Sequence, residues 1–296
     1  MSFSAVIPTS ASRGRRARLL EIIQAICQFE LLDEVIVVWQ SFEEPGPEFI
    51  HPKVRIFLCK VRALSLARNL GASQAKGDWI WFLDDDTMPA APDYLARAQR
   101  VLTDNNLDFV NSNVCGEGAN QVSRRIEADV VFDERTISGN FWEPGLILRR
   151  TVFLENKFDI HLGVGCLHGA SEGADLGLRL LRSGRKGMRL RDLELDHPAI
   201  EKPADHRNKM FSYALGNGAV SIRHRGWTGY ARTAGRAAAK MVLLAAQLRF
   251  SEATDYFVRT CGLLVGPLLR PALPVNMEAQ LLDSPVLLQE YHPVAA

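Results

Sequence analysis

The residues with the most evident chemistry are three consecutive carboxylates, Asp84-Asp85-Asp86, placed directly after the apolar run Trp79-Ile80-Trp81-Phe82-Leu83. Adjacent carboxylates repel one another unless a cation or water screens them. At the carboxyl end of a buried strand they make a seat for Mg²⁺ or Mn²⁺, hard cations that take one or two carboxylates and complete their shell with substrate phosphates. There a divalent ion would neutralise a diphosphate leaving group as a Lewis acid. The competing reading is an acidic turn that caps the helix starting near Pro92, because Asp is a good N-cap. A phosphatase signature, D-x-D-x-T after an apolar strand, fits less well: Thr87 comes one position too early, and two strand–helix units precede the triplet.

Other elements must position those carboxylates. Phe3 to Ile7, Glu34 to Trp39 and Trp79 to Leu83 read as short strands rich in β-branched and aromatic residues, with a weaker one at Val54 to Leu58. Between them, Leu19, Leu20, Ile23 and Ile26 share one helical face, as do Leu64, Ala67, Leu70 and Ala75. Strand alternating with helix predicts an α/β fold with a mostly parallel sheet. Ligands gather at the carboxyl ends of such strands, which singles out Pro8-Thr9-Ser10, Gln40-Ser41 and the Asp triplet. Farther on, a helix is expected over Asp93 to Leu102, a strand near Phe109 to Asn111, and a strand running into a helix over Leu146 to Phe153. The polar stretch from Asn113 to Asn140 carries no clear period. Gly163, Gly165, Gly169 and Gly173 mark a loop, and Asp175 to Leu181 reads as the next helix. Beyond His197 the chain becomes helical and basic over Trp227 to Phe250, then apolar over Cys261 to Leu269, and ends in a proline-rich tail.

These motifs stand in an order that resembles family 2 glycosyltransferases. Ser65-Leu66-Ala67-Arg68-Asn69-Leu70-Gly71, Ala75-Lys76-Gly77-Asp78 and Phe82-Leu83-Asp84-Asp85-Asp86 look like that family's ARN-x-G helix, A-x-G-D turn and D-x-D strand end. Phe158-Asp159 with Leu162-Gly163, the segment from Ser171 to Leu180, and Asp196-His197-Pro198 are similar to its later motifs. The resemblance spans about residues 3 to 200. It implies a GT-A-like, Rossmann-type fold and a metal-dependent, inverting transfer of sugar from a nucleotide-sugar donor to a glycan or polyprenyl-linked acceptor, as in bacterial surface-polysaccharide assembly. By the same resemblance Pro8, Thr9, Ser10, Gln40, Arg68, Asp84 and Asp85 would hold the nucleotide sugar. Asp84, Asp86 and His197 would hold Mn²⁺ or Mg²⁺. A His-Pro pair is otherwise a common surface turn.

Two positions depart from the family pattern. The strand Val35 to Trp39 ends in Gln40 rather than an acidic residue; an amide still offers both a donor and an acceptor to a base edge. Where the family's E-D pair supplies the general base through its Asp, this chain has Gly173, which cannot accept a proton. Glu172 and Asp175 remain as candidates, at a helix start that favours the carboxylate form; Glu172 is preferred, and Asp175 also reads as an N-cap. Gly173 leaves room for a second reading, a degenerate module that binds nucleotide or glycan without catalysis.

Composition sets the outer limits. The 296 residues carry a net charge of +1, so nothing global points to nucleic acid. Yet no Asp or Glu falls between His206 and Ser251, where Arg207, Lys209, Arg223, Arg225, Arg232, Arg236, Lys240 and Arg249 are concentrated. Arg232, Arg236 and Lys240 recur at i, i+4, i+8, opposite Ala237, Met241, Leu244, Ala245 and Leu248. This is the pattern of an interfacial amphipathic helix, with Trp227 and Tyr230 as anchors, or of a helix packed on its own domain. Five scattered cysteines without C-x-x-C suit reduced thiols. With neither a signal peptide nor a membrane span in the sequence, a cytoplasmic protein is expected, peripheral at most on the inner face of the membrane. The expected division is a transferase domain over 1–203 and a helical extension over 204–296.

Overall fold

The computed structural model describes residues 1–116, 125–198, 205–270, 272 and 288–292. The expected domain boundary at residue 203 and most of the proline-rich tail lie outside the described residues.

Two strand–helix–strand units open the chain: β1 (Phe3–Thr9), α1 (Arg13–Ile26) and β2 (Leu32–Trp39), then β3 (Val54–Leu58), α2 (Leu64–Gln74) and β4 (Trp79–Phe82). They are followed by β5 (Met88–Pro89), α3 (Tyr94–Asp104), β6 (Phe109–Gly116), β7 (Val130–Val131), β8 (Ile147–Arg149), α4 (Arg150–Glu155), α5 (Glu172–Arg182) and β9 (Gly187–His197). Two long helices, α6 (His206–Ala246) and α7 (Phe250–Val265), precede a last short strand, β10 (Gln289–Glu290). One mixed sheet runs β10-β3-β2-β1-β4-β8-β6-β9-β5, with β7 paired to β9. The pairs β1/β2, β2/β3, β1/β4 and β6/β9 are parallel.

Strand alternation sorts the core into two layers. Trp79 and Trp81 of β4 point to the face covered by α1 and α3, where Trp81 stacks between Phe29 and Tyr94. Ile80 and Phe82 point to the opposite face, under α2, α4 and α5, where Phe82 meets Phe153 and Phe158. Parallel strands covered on both faces are near-continuous apolar runs; β1 and β4 are buried throughout, and the polar Ser4 and Thr9 of β1 donate to Glu34 and Asp85. Strand order reverses at β1, flanked by β2 and β4, and a ligand crevice opens at the carboxyl edge of such a reversal. Thr9, Gln40 and Asp84 to Asp86 all stand there.

Several boundaries differ from expectation. Strand β6 runs to Gly116 because its second half pairs with β9 after a bulge. Helix α5 begins at Glu172, three residues early, so Asp175 sits within its first turn and Ser171, at φ 78°, holds the cap position. Helix α6 starts about twenty residues before Trp227 and is interrupted at Gly226, whose φ of 63° is not helical. Its glycines argue against a helix by propensity, but Gly218 lies where a Cβ would come within 2.4 Å of the Leu263 carbonyl oxygen. The small residue lets α6 and α7 pack closely.

The C-terminal helices are joined to the sheet domain by polar contacts. Arg223 and His224 of α6 pair with Asp175 at 3.0 and 2.8 Å, and His168 Nε2 donates to the Gly266 carbonyl at 3.0 Å. Strand β10 extends the sheet beside β3, with Glu290 paired to Arg55. Among the described residues no helix is long and apolar enough to cross a membrane.

Candidate active site

Strand β4 delivers the triplet into a tight turn closed by the Thr87 N–H on the Asp84 carbonyl and by the Thr87 hydroxyl. The turn sends the three carboxylates in different directions. Asp84 accepts from Arg68 Nη2 at 2.7 Å. Asp85 accepts from the Thr9 hydroxyl at 2.6 Å and from Arg15, whose Nη1 lies 2.5 Å from both Asp85 and Asp86. Burial raises the Asp85 pKa, and Thr9 and Arg15 oppose that shift. Arg15 thus supplies the positive charge that the adjacent Asp85 and Asp86 require, while Asp84 has Arg68.

Helix α2 explains the motif around Arg68. Ser65, Arg68 and Asn69 share one face by i, i+3, i+4 spacing. The Ser65 hydroxyl donates to the Leu162 carbonyl at 2.6 Å, and the Asn69 side chain both donates to and accepts from the Phe158 backbone at 2.9 and 3.0 Å. Both residues therefore clamp the segment that leads into α5. Between them Arg68, only 1% exposed, reaches Asp84 and also Glu172 at 3.4 Å. Burial penalises its charge; the carboxylates of Asp84, Glu143 and Glu172 more than offset that and keep it a cation.

His197 arrives from the other side. The antiparallel pairing of Met88 with Asp196 brings the end of β9 beside the residues that follow the triplet. His197 Nδ1 lies 2.7 Å from the Pro198 carbonyl oxygen, which can only accept, so Nδ1 carries the proton. In the neutral ring Nε2 then presents a lone pair 3.7 Å from Asp86 Oδ1, a buried oxygen with no hydrogen-bond partner. Two electron-rich atoms facing each other suit a cation between them. The donor set, one imidazole and one carboxylate, fits Mn²⁺ or Mg²⁺ with the remaining places left to phosphate oxygens. Among the described residues no cluster of three or more His, Cys, Asp or Glu side chains could hold an ion alone. Asp84, expected as a ligand, is turned towards Arg68.

At the start of α5, Glu172 is buried beside Arg68, and Asp175 is fully enclosed by Arg179, Arg223 and His224. Sequence reasoning missed Glu143. It sits in the turn from Trp142 to Gly145, which Asn111 fixes through two hydrogen bonds to Trp142 and which Gly145 ties to the Phe82 carbonyl. That turn falls between the polar stretch ending at Asn140 and the strand expected from Leu146, and the Pro144-Gly145 pair is the turn signal that could have found it.

A profile described as Glycosyl transferase family 2 matches residues 4–161, just over half of the chain. The chain belongs to glycosyl transferase family 2. An uncharacterized glycosyltransferase of Haemophilus influenzae is 26% identical over 168 residues, covering 51% of this chain and 54% of that protein. The chain thus spans about half the length of the curated relative it matches. Among solved structures, the mannosyltransferase PcManGT from Pyrobaculum calidifontis, in complex with GDP-Man and Mn²⁺, superposes with a TM-score of 0.60 at 14% identity, covering 88% of this chain and 86% of the other. S. aureus TarS 1-349 in complex with UDP-GlcNAc gives 0.57 at 15%, covering 88% and 82%. At these identities the likeness is one of fold, the GT-A arrangement of a mostly parallel sheet.

Against the family pattern the individual placements are informative. Pro8 and Thr9 end β1 at the carboxyl edge, with the Thr9 hydroxyl committed to Asp85, and Ser10 is exposed. The Gln40 amide spends its donors on the carbonyls of Val61 and Ala63, at 2.6 and 3.4 Å, so only its oxygen could face a nucleotide base. Of the two carboxylates expected to replace the family's base, Asp175 is clamped: His224, Arg179 and Arg223 outweigh burial and hold its pKa far below the usual range. It joins α5 to α6. Glu172 has the opposite tendency. Burial, then the charge of Glu143, push its pKa up to about 8 in spite of Arg68.

That shift fixes a dependence of stability on pH. Below about 4.5 both folded and unfolded chains hold the Glu172 proton; as pH rises the unfolded chain releases it first, so stability falls up to about pH 8 and levels beyond. Substituting Glu172→Gln removes the titrating group. In urea melts from pH 5 to pH 8, stability should move in favour of the variant as pH rises, by at most about 1.4 kcal/mol per pH unit. A difference that stays constant, or turns towards wild type, would contradict the raised pKa.

Proposed function

We propose that the protein transfers a sugar, with inversion, from a nucleoside-diphosphate donor to a hydroxyl of a glycan or lipid-linked acceptor, with Mn²⁺ or Mg²⁺ at the donor diphosphate. The observation that carries this reading is the confrontation of His197 Nε2 and the unpartnered Asp86 Oδ1 at 3.7 Å, at the strand-order reversal of a family 2 chain. The GDP-Man, Mn²⁺ and UDP-GlcNAc complexes of the structural neighbours support the ligand class.

In this reading Pro8, Thr9, Ser10 and Gln40 line the nucleoside pocket. Arg68 aims Asp84 at the donor ribose and holds positive charge beneath the diphosphate. Asp86 and His197 hold the ion, which when bound supplies charge neutralisation for the departing diphosphate. Arg15 balances Asp85 and Asp86 before the donor arrives. The role in surface-polysaccharide assembly rests on the C-terminal helices. Ala237 and Leu244 of the expected apolar stripe pack inward, Met241 and Ala245 are half-buried, and Leu248 is exposed. Trp227, Val242, Leu243 and Phe250 add large apolar side chains to the exposed surface beside Arg232, Arg236 and Lys240. Apolar and basic side chains together suit peripheral contact with an anionic membrane, where a lipid-linked acceptor would be found.

Two measurements test this. Nucleoside diphosphate with Mn²⁺ should raise the melting temperature of wild type, because a ligand that binds only the folded state stabilises it. Asp86→Ala should keep the fold, lose the Mn²⁺-dependent part of the shift and lose transfer. No shift with uridine, guanosine, thymidine or adenosine diphosphate at millimolar concentration would overturn the donor assignment. For the membrane, the protein should sediment with vesicles containing anionic lipid and be released as salt is raised. Recovery in the supernatant at low salt would show the helices to be packed surface only.

A further inference from the structure

Gly173 occupies the position at which family 2 chains carry a second acidic residue, and the structure shows what fills the vacated space. A Cβ built on Gly173 would lie 1.9 Å from Glu143 Oε1 and 2.5 Å from its Cδ. The Gly173 N–H, in the first turn of α5, faces the Glu143 carboxyl group closely enough to oppose the rise in its pKa that burial causes. A carboxylate is therefore present beside residue 173, delivered by the turn before β8 rather than by α5. We propose that Glu143 supplies the carboxylate that Gly173 lacks and is the catalytic base towards the acceptor hydroxyl. This rests on the nucleotide-sugar transferase reading given above.

Three further features bear on Glu143. The residue is half-buried, whereas Glu172 is buried and Asp175 fully enclosed, so of the three it is the least removed from an incoming acceptor. Its turn is rigid, held by Asn111 through Trp142 and by β4 through Gly145, as a base that must keep its geometry requires. Finally, Glu143 and Glu172 share one buried cation, Arg68, while Arg68 also serves Asp84. Burial and then the charge of Glu143 raise the Glu172 pKa; burial also raises that of Glu143, against the opposing charge of Arg68. Two acids this close do not both ionise readily, so one of the pair holds a proton while the other is the carboxylate beside Arg68. In the transfer, Glu143 takes the proton of the acceptor O–H. The acceptor oxygen then bonds to the anomeric carbon as the bond from that carbon to the phosphate oxygen breaks, and its electron pair leaves with the nucleoside diphosphate.

Release of nucleoside diphosphate from a panel of UDP-, GDP-, dTDP- and ADP-sugars with Mn²⁺, water serving as acceptor, provides the assay. On the donor that wild type turns over fastest, Glu143→Gln should lower kcat by ~10²–10⁴-fold while leaving the melting shift with the matching nucleoside diphosphate unchanged. Gly173→Asp alone should impair turnover, since its side chain meets Glu143. Combined with Glu143→Ala, Gly173→Asp should recover at least about tenfold over Glu143→Ala alone, because the carboxylate returns to the same space. A merely structural Glu143 would not be replaced by an acid on another element. Turnover by Glu143→Gln within about threefold of wild type, or no recovery in the exchanged variant, overturns the proposal. So does wild type that binds nucleoside diphosphate yet releases none from any donor. A wild type that neither binds nor releases nucleotide is a distinct failure, of the transferase reading itself.

Discussion

The site is organised around one buried positive charge. Arg68 is enclosed by protein and faces Asp84 from the end of β4, Glu172 from the start of α5 and the charge of Glu143 from the turn before β8. Taking an ion out of water costs several kcal/mol, which attraction recovers only when geometry is good and partners are present. Removing one partner of such a pair is correspondingly expensive. The guanidinium therefore constrains three segments far apart in sequence to converge at one point. The same point lies beneath the carboxyl edge at the strand-order reversal, where a diphosphate would be bound.

Surrounding contacts keep that charge in place. Ser65 and Asn69 fasten the neighbouring loop to α2, and Gly71 allows α2 to lie against the sheet, where a Cβ would come within 2.6 Å of Val6 and 2.8 Å of Val38. Asp175 performs a second joining task, pairing α5 with Arg223 and His224 of α6. The C-terminal helices are consequently part of the wall behind the site. Tyr213 of α6 is close enough to Glu172, Glu143 and Asp84 for their charges to raise its own pKa beyond the effect of burial.

Much of this was legible in the residues themselves because it is local. The apolar runs of β1, β2 and β4, the helical spacing of α1 and α2, and the Asp triplet at a strand end each depend on neighbours within a few positions. What could not be read depends on distant partners. Asp175 looked like a cap or a base until Arg223 and His224, almost fifty residues later, were found on it. The early start of α6 was hidden by glycines that disfavour a helix in isolation and are used for close packing with α7. Glu143 was invisible for the same reason: its turn has no periodicity, and its meaning comes from the space left by Gly173, thirty residues away.

If Arg68 holds the site together by charge, its contribution must be coupled to its partners rather than additive. A double-mutant cycle on Arg68→Met and Glu172→Gln, followed by urea unfolding at pH 8, measures this directly. Arg68→Met alone should cost roughly 3–5 kcal/mol, because it strands buried carboxylates. Adding Glu172→Gln should restore part of the loss, giving a coupling energy of about 1–3 kcal/mol. Additivity within about 0.5 kcal/mol would contradict the central role given to the Arg68 charge.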